Sequence, residues 1–186
     1  MLVTIGVPSY NHITTETVIS LLNFQATSKL PFVFFLNQSL YIDFSRNQLV
    51  DVALHNGSTH LMFIDSDIQF PPDGIERLLA HDKDVVGGYY NTRRGNNPIK
   101  VFSEDGTLTT PVMDGKMFQC AVLPTGFMLI KLDALSKVPR PYFQTITHAQ
   151  GTIGEDVVFC KHATDAGIQI YCDPSIPLGH VGKQIY

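Results

Sequence analysis

No apolar run in the 186-residue chain approaches the roughly 18 residues a membrane helix needs. The first residues, MLVTIGVPSYN, carry neither a basic leader nor a small-residue cleavage pattern, so they do not read as a signal peptide. Basic charge is scarce. Thirteen Lys and Arg stand against seventeen Asp and Glu, giving a net charge of −4, with a pI near 5.9. That excludes the basic face used for non-specific nucleic-acid binding, though not a local basic pocket. The three cysteines, Cys120, Cys160 and Cys172, are odd in number and lack a C-x-x-C spacing. Reduced thiols in a cytoplasmic compartment are expected. Cys160, His162, Cys172 and His180 match no zinc spacing well. Repeats, low-complexity tracts and charged tails are absent, and the length suits one domain.

What is present is an alternation of two periodicities. LVTIGV (2–7), FVFF (32–35), HLMFID (60–65), DVVGGYY (84–90), FQCAVL (118–123), GFMLIKL (126–132) and IQIYC (168–172) read as strands. Between them, residues 13–27 carry Ile13, Val18, Leu21, Leu22 and Phe24 at helical spacing, with Thr14 or Thr15 as cap. Residues 44–55 place Leu49, Val50, Ala53 and Leu54 on one helix face, and Asn56-Gly57 stops it. Residues 71–81 open with two prolines and continue as a short helix, and 154–167 form another, ended by Gly167. Segment 91–117 is loop, with a hairpin over 99–109 turned at Glu104-Asp105-Gly106. Strands alternating with helices predict an α/β domain whose sheet is mostly parallel, mixed in its later part.

Ligands of open α/β sheets sit beyond the carboxyl ends of the strands. Three polar clusters follow strands here: Pro8-Ser9-Tyr10-Asn11, Asp65-Ser66-Asp67, and the stretch from Pro174 to Lys183 that contains His180. Asp65 and Asp67, two apart in an extended chain, point the same way. Two carboxylates about 4 Å apart repel by about 4 kcal/mol at an effective dielectric near 20. A divalent cation removes that penalty and binds phosphate oxygens as well. A solvated turn is the alternative, since Asp is common in loops. Read singly, Glu155 and Asp156 suit any first helical turn, His180 any loop, Arg46 any helix surface and Tyr10 any strand end. Gly87-Gly88 is a tight strand end or a place for backbone to approach a ligand. Arg93-Arg94 is a phosphate clamp or a wet loop.

Together, PSYN (8–11), SRNQLVDVALHNGSTHLMFIDSDIQFPPDGIERLL (45–79) and GEDVVFCKHATDAGIQIYCDPSIPLGHVG (154–182) resemble the GT-A glycosyltransferases, glycosyltransferase family 2 in particular. The resemblance lies in the order of five features: P-x-Y-N after the first strand, an R-N helix start, a strand ending in D-x-D, an E-D pair opening a late helix, and a later His. PTGFMLIKLDAL (124–135) looks like the segment beside that family's acceptor site.

The resemblance implies a single GT-A, Rossmann-like domain over residues 1–186. It implies a metal-dependent enzyme that moves a sugar from a nucleotide-diphospho-sugar, a UDP-sugar by preference, to a carbohydrate or other hydroxyl acceptor, with inversion. The cofactor would be Mn²⁺ or Mg²⁺. Asp67 and His180 would be metal ligands, and Asp65 would meet the metal through water or the nucleotide ribose, beside Ser66. Pro8, Tyr10 and Asn11 would line the nucleoside pocket, and Arg46 would help hold the nucleotide-sugar. Asp156 would be the general base, with Glu155 beside it.

Two rivals stand. A nucleotidyltransferase also carries a metal-binding Asp on an α/β sheet, but usually has a Gly-rich, Arg-containing loop where PSYN stands. A non-catalytic nucleotide-sugar or carbohydrate module could keep the fold alone.

Overall fold

Seven consecutive buried residues make β1 (Val3–Ser9) the centre of one half of the sheet. It is followed by α1 (Thr15–Thr27), β2 (Phe32–Gln38), α2 (Ile42–His55), β3 (His60–Ile64), β4 (Ile68–Gln69), α3 (Gly74–Ala80) and β5 (Val85–Gly88). Then come β6 (Val101–Phe102), β7 (Leu108–Thr109), β8 (Phe118–Cys120), β9 (Phe127–Lys131), β10 (Ile146–His148), β11 (Gly151–Ile153), α4 (Glu155–Asp165), β12 (Ile170–Asp173) and β13 (Gly179–His180). This computed structural model describes residues 1–92, 99–102 and 107–182. The hairpin expected over 99–109 is present as β6 paired with β7. Its turn at Glu104, Asp105 and Gly106, like Arg93, Arg94 and Lys183, lies outside the described residues.

The sheet has seven strands in the order β2-β1-β3-β9-β5-β12-β8. β2, β1, β3, β5 and β12 run one way, whereas β9 and β8 run against them. The sheet is therefore mostly parallel in direction and mixed in its later part, as the closely spaced late strands predict. Helices cover both faces. α2 and α4 bury Leu49, Val50 and Phe159 on one, and α1 and α3 bury Phe24, Ile75 and Leu78 on the other.

Helix α1 departs from the expected face. Thr14 caps it, its hydroxyl oxygen accepting from the Thr17 N–H. The buried face is Thr17, Ser20 and Phe24, while Val18 and Leu22 are 40% and 58% exposed. The reason is polar. Thr17 Oγ1 donates to the Ile68 carbonyl at 2.9 Å, and the Phe70 N–H donates to Ser20 Oγ at 3.1 Å. These hydroxyls satisfy backbone of the chain just past Asp67, which no sheet neighbour pairs on that side. Leu54 of α2, expected on the buried face, is likewise 41% exposed.

Gly87 is resolved in favour of packing. A Cβ there would lie 2.5 Å from the Phe127 carbonyl oxygen of the neighbouring strand and 3.0 Å from Leu123.

Asp173, buried at the end of β12, accepts from His81 Nε2 at 2.9 Å and from the Ser175 N–H at 2.9 Å. Burial pushes its pKa up, but the bonds from Ser175 and His81 outweigh burial and hold it below the ordinary 3.8. A depressed carboxylate contributes stability above its unfolded value and loses it as the pH falls through its folded value. Asp173→Asn should therefore be less stable than the wild type above pH 3.8. The gap should close as the pH drops below that value, read from urea melts at stepped pH.

Candidate active site

The carboxyl ends of β1, β2 and β3 open onto a cleft of about 210 Å³. β1 supplies Pro8 and Ser9 and is followed at once by Tyr10, as β3 is by Asp65, Ser66 and Asp67. Two further walls were not foreseen: Ser39 and Leu40 from the loop after β2, and Ile42 and Ser45 from α2. The signal for them was available, because Asn37-Gln38-Ser39 ends its strand as the polar run ends β1. Asn11 is exposed and is not among the lining residues. The loop after β1 is tied to the aspartate loop by the Thr14 N–H, which donates to the Ser66 carbonyl at 2.8 Å.

His180 reaches the aspartates by a route that strand adjacency alone does not provide. β12 is separated from β3 by β9 and β5. Beyond β12 the chain returns as β13, which pairs antiparallel with β4, Gly179 opposite Gln69 and His180 opposite Ile68. The Val181 N–H donates to the Asp67 carbonyl at 2.8 Å. This ladder sets His180 Nε2 at 3.3 Å from Asp67 Oδ2. The other ring nitrogen, Nδ1, lies 2.9 Å from the Asn91 carbonyl oxygen. A carbonyl only accepts, so Nδ1 carries the hydrogen, and the Tyr90 ring packs edge-on at 5.3 Å. Nε2 then faces a carboxylate oxygen of Asp67. Such a pair is closed either by a proton on the ring nitrogen or by a cation that both atoms ligate. A backbone carbonyl on the far nitrogen is also the usual support of a metal-binding histidine.

Arg46 is 2% exposed. Its Nη2 donates to Asp65 Oδ1 at 2.9 Å and its Nε to Glu155 Oε1 at 3.0 Å, while Cζ stands 5.2 Å from the Phe63 ring centroid. Nη1 is buried without a hydrogen-bond partner among the described residues. Burial pulls the guanidinium pKa down, but Asp65 and then Glu155 raise it on balance. Asp65 is pushed above the ordinary carboxylate range, first by burial and then by Asp67 and Glu155, against the pull of Arg46. Asp156 is also raised, by burial first and Glu155 second. Its Oδ1 accepts from the Val157 N–H at 2.8 Å, fixing the carboxyl on the first turn of α4. Glu155, by contrast, is committed to Arg46.

Asn47 is a positioning residue that sequence reasoning passed over. Its Nδ2 donates to the Phe143 carbonyl at 2.7 Å and its Oδ1 accepts from the Phe143 N–H at 3.2 Å. That amide clamp fastens to α2 the segment leading to the β10–β11 hairpin and α4. Gly126 is a second such residue. The Tyr90 hydroxyl oxygen accepts from its N–H at 2.9 Å, and a Cβ on it would overlap that hydroxyl and lie 2.8 Å from Asp65 Oδ2. Gly126→Ala is expected to cost about 1–3 kcal/mol through overpacking, measured by urea denaturation.

The structural comparison decides the fold. The catalytic domain of Drosophila β1,4-galactosyltransferase 7, in complex with xylobiose, superposes with a TM-score of 0.59 at 12% identity, covering 98% of this chain and 71% of that one. This chain has the GT-A glycosyltransferase fold. A197 from STIV is also similar, with a TM-score of 0.69 at 21% identity, covering 98% of this chain and 87% of A197. No family model and no curated protein sequence matches the chain. The GT-A fold explains why the cleft opens beyond β1 and β3. Among the described residues, no helix is long and apolar enough to cross a membrane. Among the same residues, no group of three or more His, Cys, Asp or Glu side chains is arranged to hold a metal ion.

Proposed function

We propose that this GT-A chain is a glycosyltransferase that moves a sugar from a nucleotide-diphospho-sugar, a UDP-sugar by preference, to a hydroxyl acceptor with inversion. The observation that carries the reading is His180 Nε2 held 3.3 Å from Asp67 Oδ2 at the rim of the cleft. Two protein donors suit an ion whose remaining ligands are phosphate oxygens. Asp67 and His180 would hold it. Asp65, whose Oδ1 is engaged by Arg46, would face the ribose or a metal-bound water, with Ser66 beside it. When bound, Mn²⁺ or Mg²⁺ would supply positive charge to the departing diphosphate.

The chain's own groups divide the remaining work. Pro8, Tyr10 and Leu40 offer an apolar wall for the nucleoside, and Tyr10 is 58% exposed and free to stack. Asn11 lies at the mouth. Asp156 would take the acceptor proton, for which a carboxyl raised by burial is better suited than an ordinary one. Glu155, bound to Arg46, would orient rather than abstract. Arg46 would act on the donor through the two carboxylates it holds. The three cysteines are free and buried, in keeping with a proposed cytoplasmic setting.

The test is a thermal-shift panel of nucleoside diphosphates and nucleotide-sugars, each with and without Mn²⁺. Stabilisation by one nucleotide class only with Mn²⁺ is the expected result. Stabilisation of Asp67→Ala equal to that of the wild type would remove Asp67 from the site.

A further inference from the structure

We propose that the chain forms a symmetric dimer by pairing β2 with β2 of a second copy. Among the described residues, β2 is an end strand of the seven-stranded sheet and pairs with β1 alone. The Val3 N–H donates to the Pro31 carbonyl, and the Ser39 N–H to the Ser9 carbonyl. Parallel pairing alternates, so the odd-numbered backbone groups of β2 face β1 and those of Phe32, Phe34, Leu36 and Gln38 face outward. An open row of this kind is normally blunted by charge, by proline within the strand or by a bulge. Here no Asp, Glu, Lys, Arg or His occurs from Leu30 to Ile42. Pro31 stands just before the strand, and the register with β1 runs unbroken from Phe32 to Gln38.

The side chains agree with the backbone. Phe32 packs against Phe24 of α1 at 5.1 Å, but the helix leaves Phe34 and Leu36 uncovered, 43% and 52% exposed. A two-fold axis at Phe35 sets Phe34 opposite the second copy's Leu36, and Leu36 opposite its Phe34. Phe32 then meets Gln38. Every outward backbone group finds a partner, and the two exposed apolar side chains cover each other. The strand is therefore complementary to itself in antiparallel register. Its lack of charge avoids the like-charge contacts that a two-fold would otherwise impose on a chain of net charge −4.

Sedimentation velocity of the full chain over a concentration series is the test, with hydrogen exchange of the Phe34 and Leu36 amides read in parallel. The expected result is a species of twice the 20.7 kDa chain mass. Protection of both amides should rise with concentration, and Leu36→Lys should be monomeric with an unchanged circular dichroism spectrum. A monomeric wild type, or a dimer that survives Leu36→Lys, overturns the proposal. So does amide protection that is independent of concentration, which decides the matter even where the lysine variant fails to fold. Protection gained only when a foreign strand peptide is added counts against a second copy as the occupant.

Discussion

Arg46→Met is expected to lower the folding free energy by about 3–5 kcal/mol, measured by chemical denaturation. The guanidinium is almost wholly buried, and two of its nitrogens hold carboxylates whose side chains are only 28% and 14% exposed. Removing it leaves Asp65 and Glu155 in a place poor in water, with the cation gone and Asp67 close by. Breaking a buried pair from one side costs far more than the pair is worth, because the charge left behind is uncompensated. The partial exposure of Asp65 moderates the penalty, so the lower end of the range is the better figure. Arg46→Lys keeps the charge but loses the two-pronged geometry, and should fall between wild type and methionine. A variant as stable as the wild type would mean that water already solvates both carboxylates.

Asp156→Asn is expected to reduce turnover by about 10²–10⁴-fold, the usual contribution of a positioned base, once a donor is identified. Its Mn²⁺-dependent stabilisation by nucleotide should remain. The asparagine keeps the Oδ1 acceptor for the Val157 N–H, so the first turn of α4 keeps its anchor. What it loses is the proton-accepting carboxylate. Glu155→Gln separates the two neighbours. It weakens a bond to Arg46 and should be felt in stability as well as rate, whereas Asp156→Asn should be felt in rate. Turnover unchanged in Asp156→Asn, measured with a saturating acceptor, would transfer the base to another group.

Much of this was legible in the sequence because it rests on local chemistry. The apolar run ending in Asp65-Ser66-Asp67 read as a strand delivering charge to an edge, and β3 does so. Asn56-Gly57 and Gly167 stopped helices where a residue at positive φ was needed, with Gly57 at +68° and Gly167 at +81°. Non-local pairing was not legible. β4 and β13 are two residues each, too short for periodicity, yet their ladder brings His180 to Asp67. The buried face of α1 misled for a related reason. Thr17 and Ser20 are inside because distant backbone needs their hydroxyls, and no apolar pattern records that demand. Taken singly, Arg46 suited a helix surface, and its burial between two carboxylates was not legible, since those partners lie 19 and 109 positions away.

Ser45, Arg46 and Asn47 are consecutive, yet each serves a different region: the cleft wall, the carboxylate pair and the strap at Phe143. A designer wishing to alter what this scaffold accepts is thereby denied a modular solution. Reshaping either side disturbs a shared fulcrum on one helical turn, so successful variants should arise as coordinated sets of changes around positions 45 to 47 rather than as independent swaps.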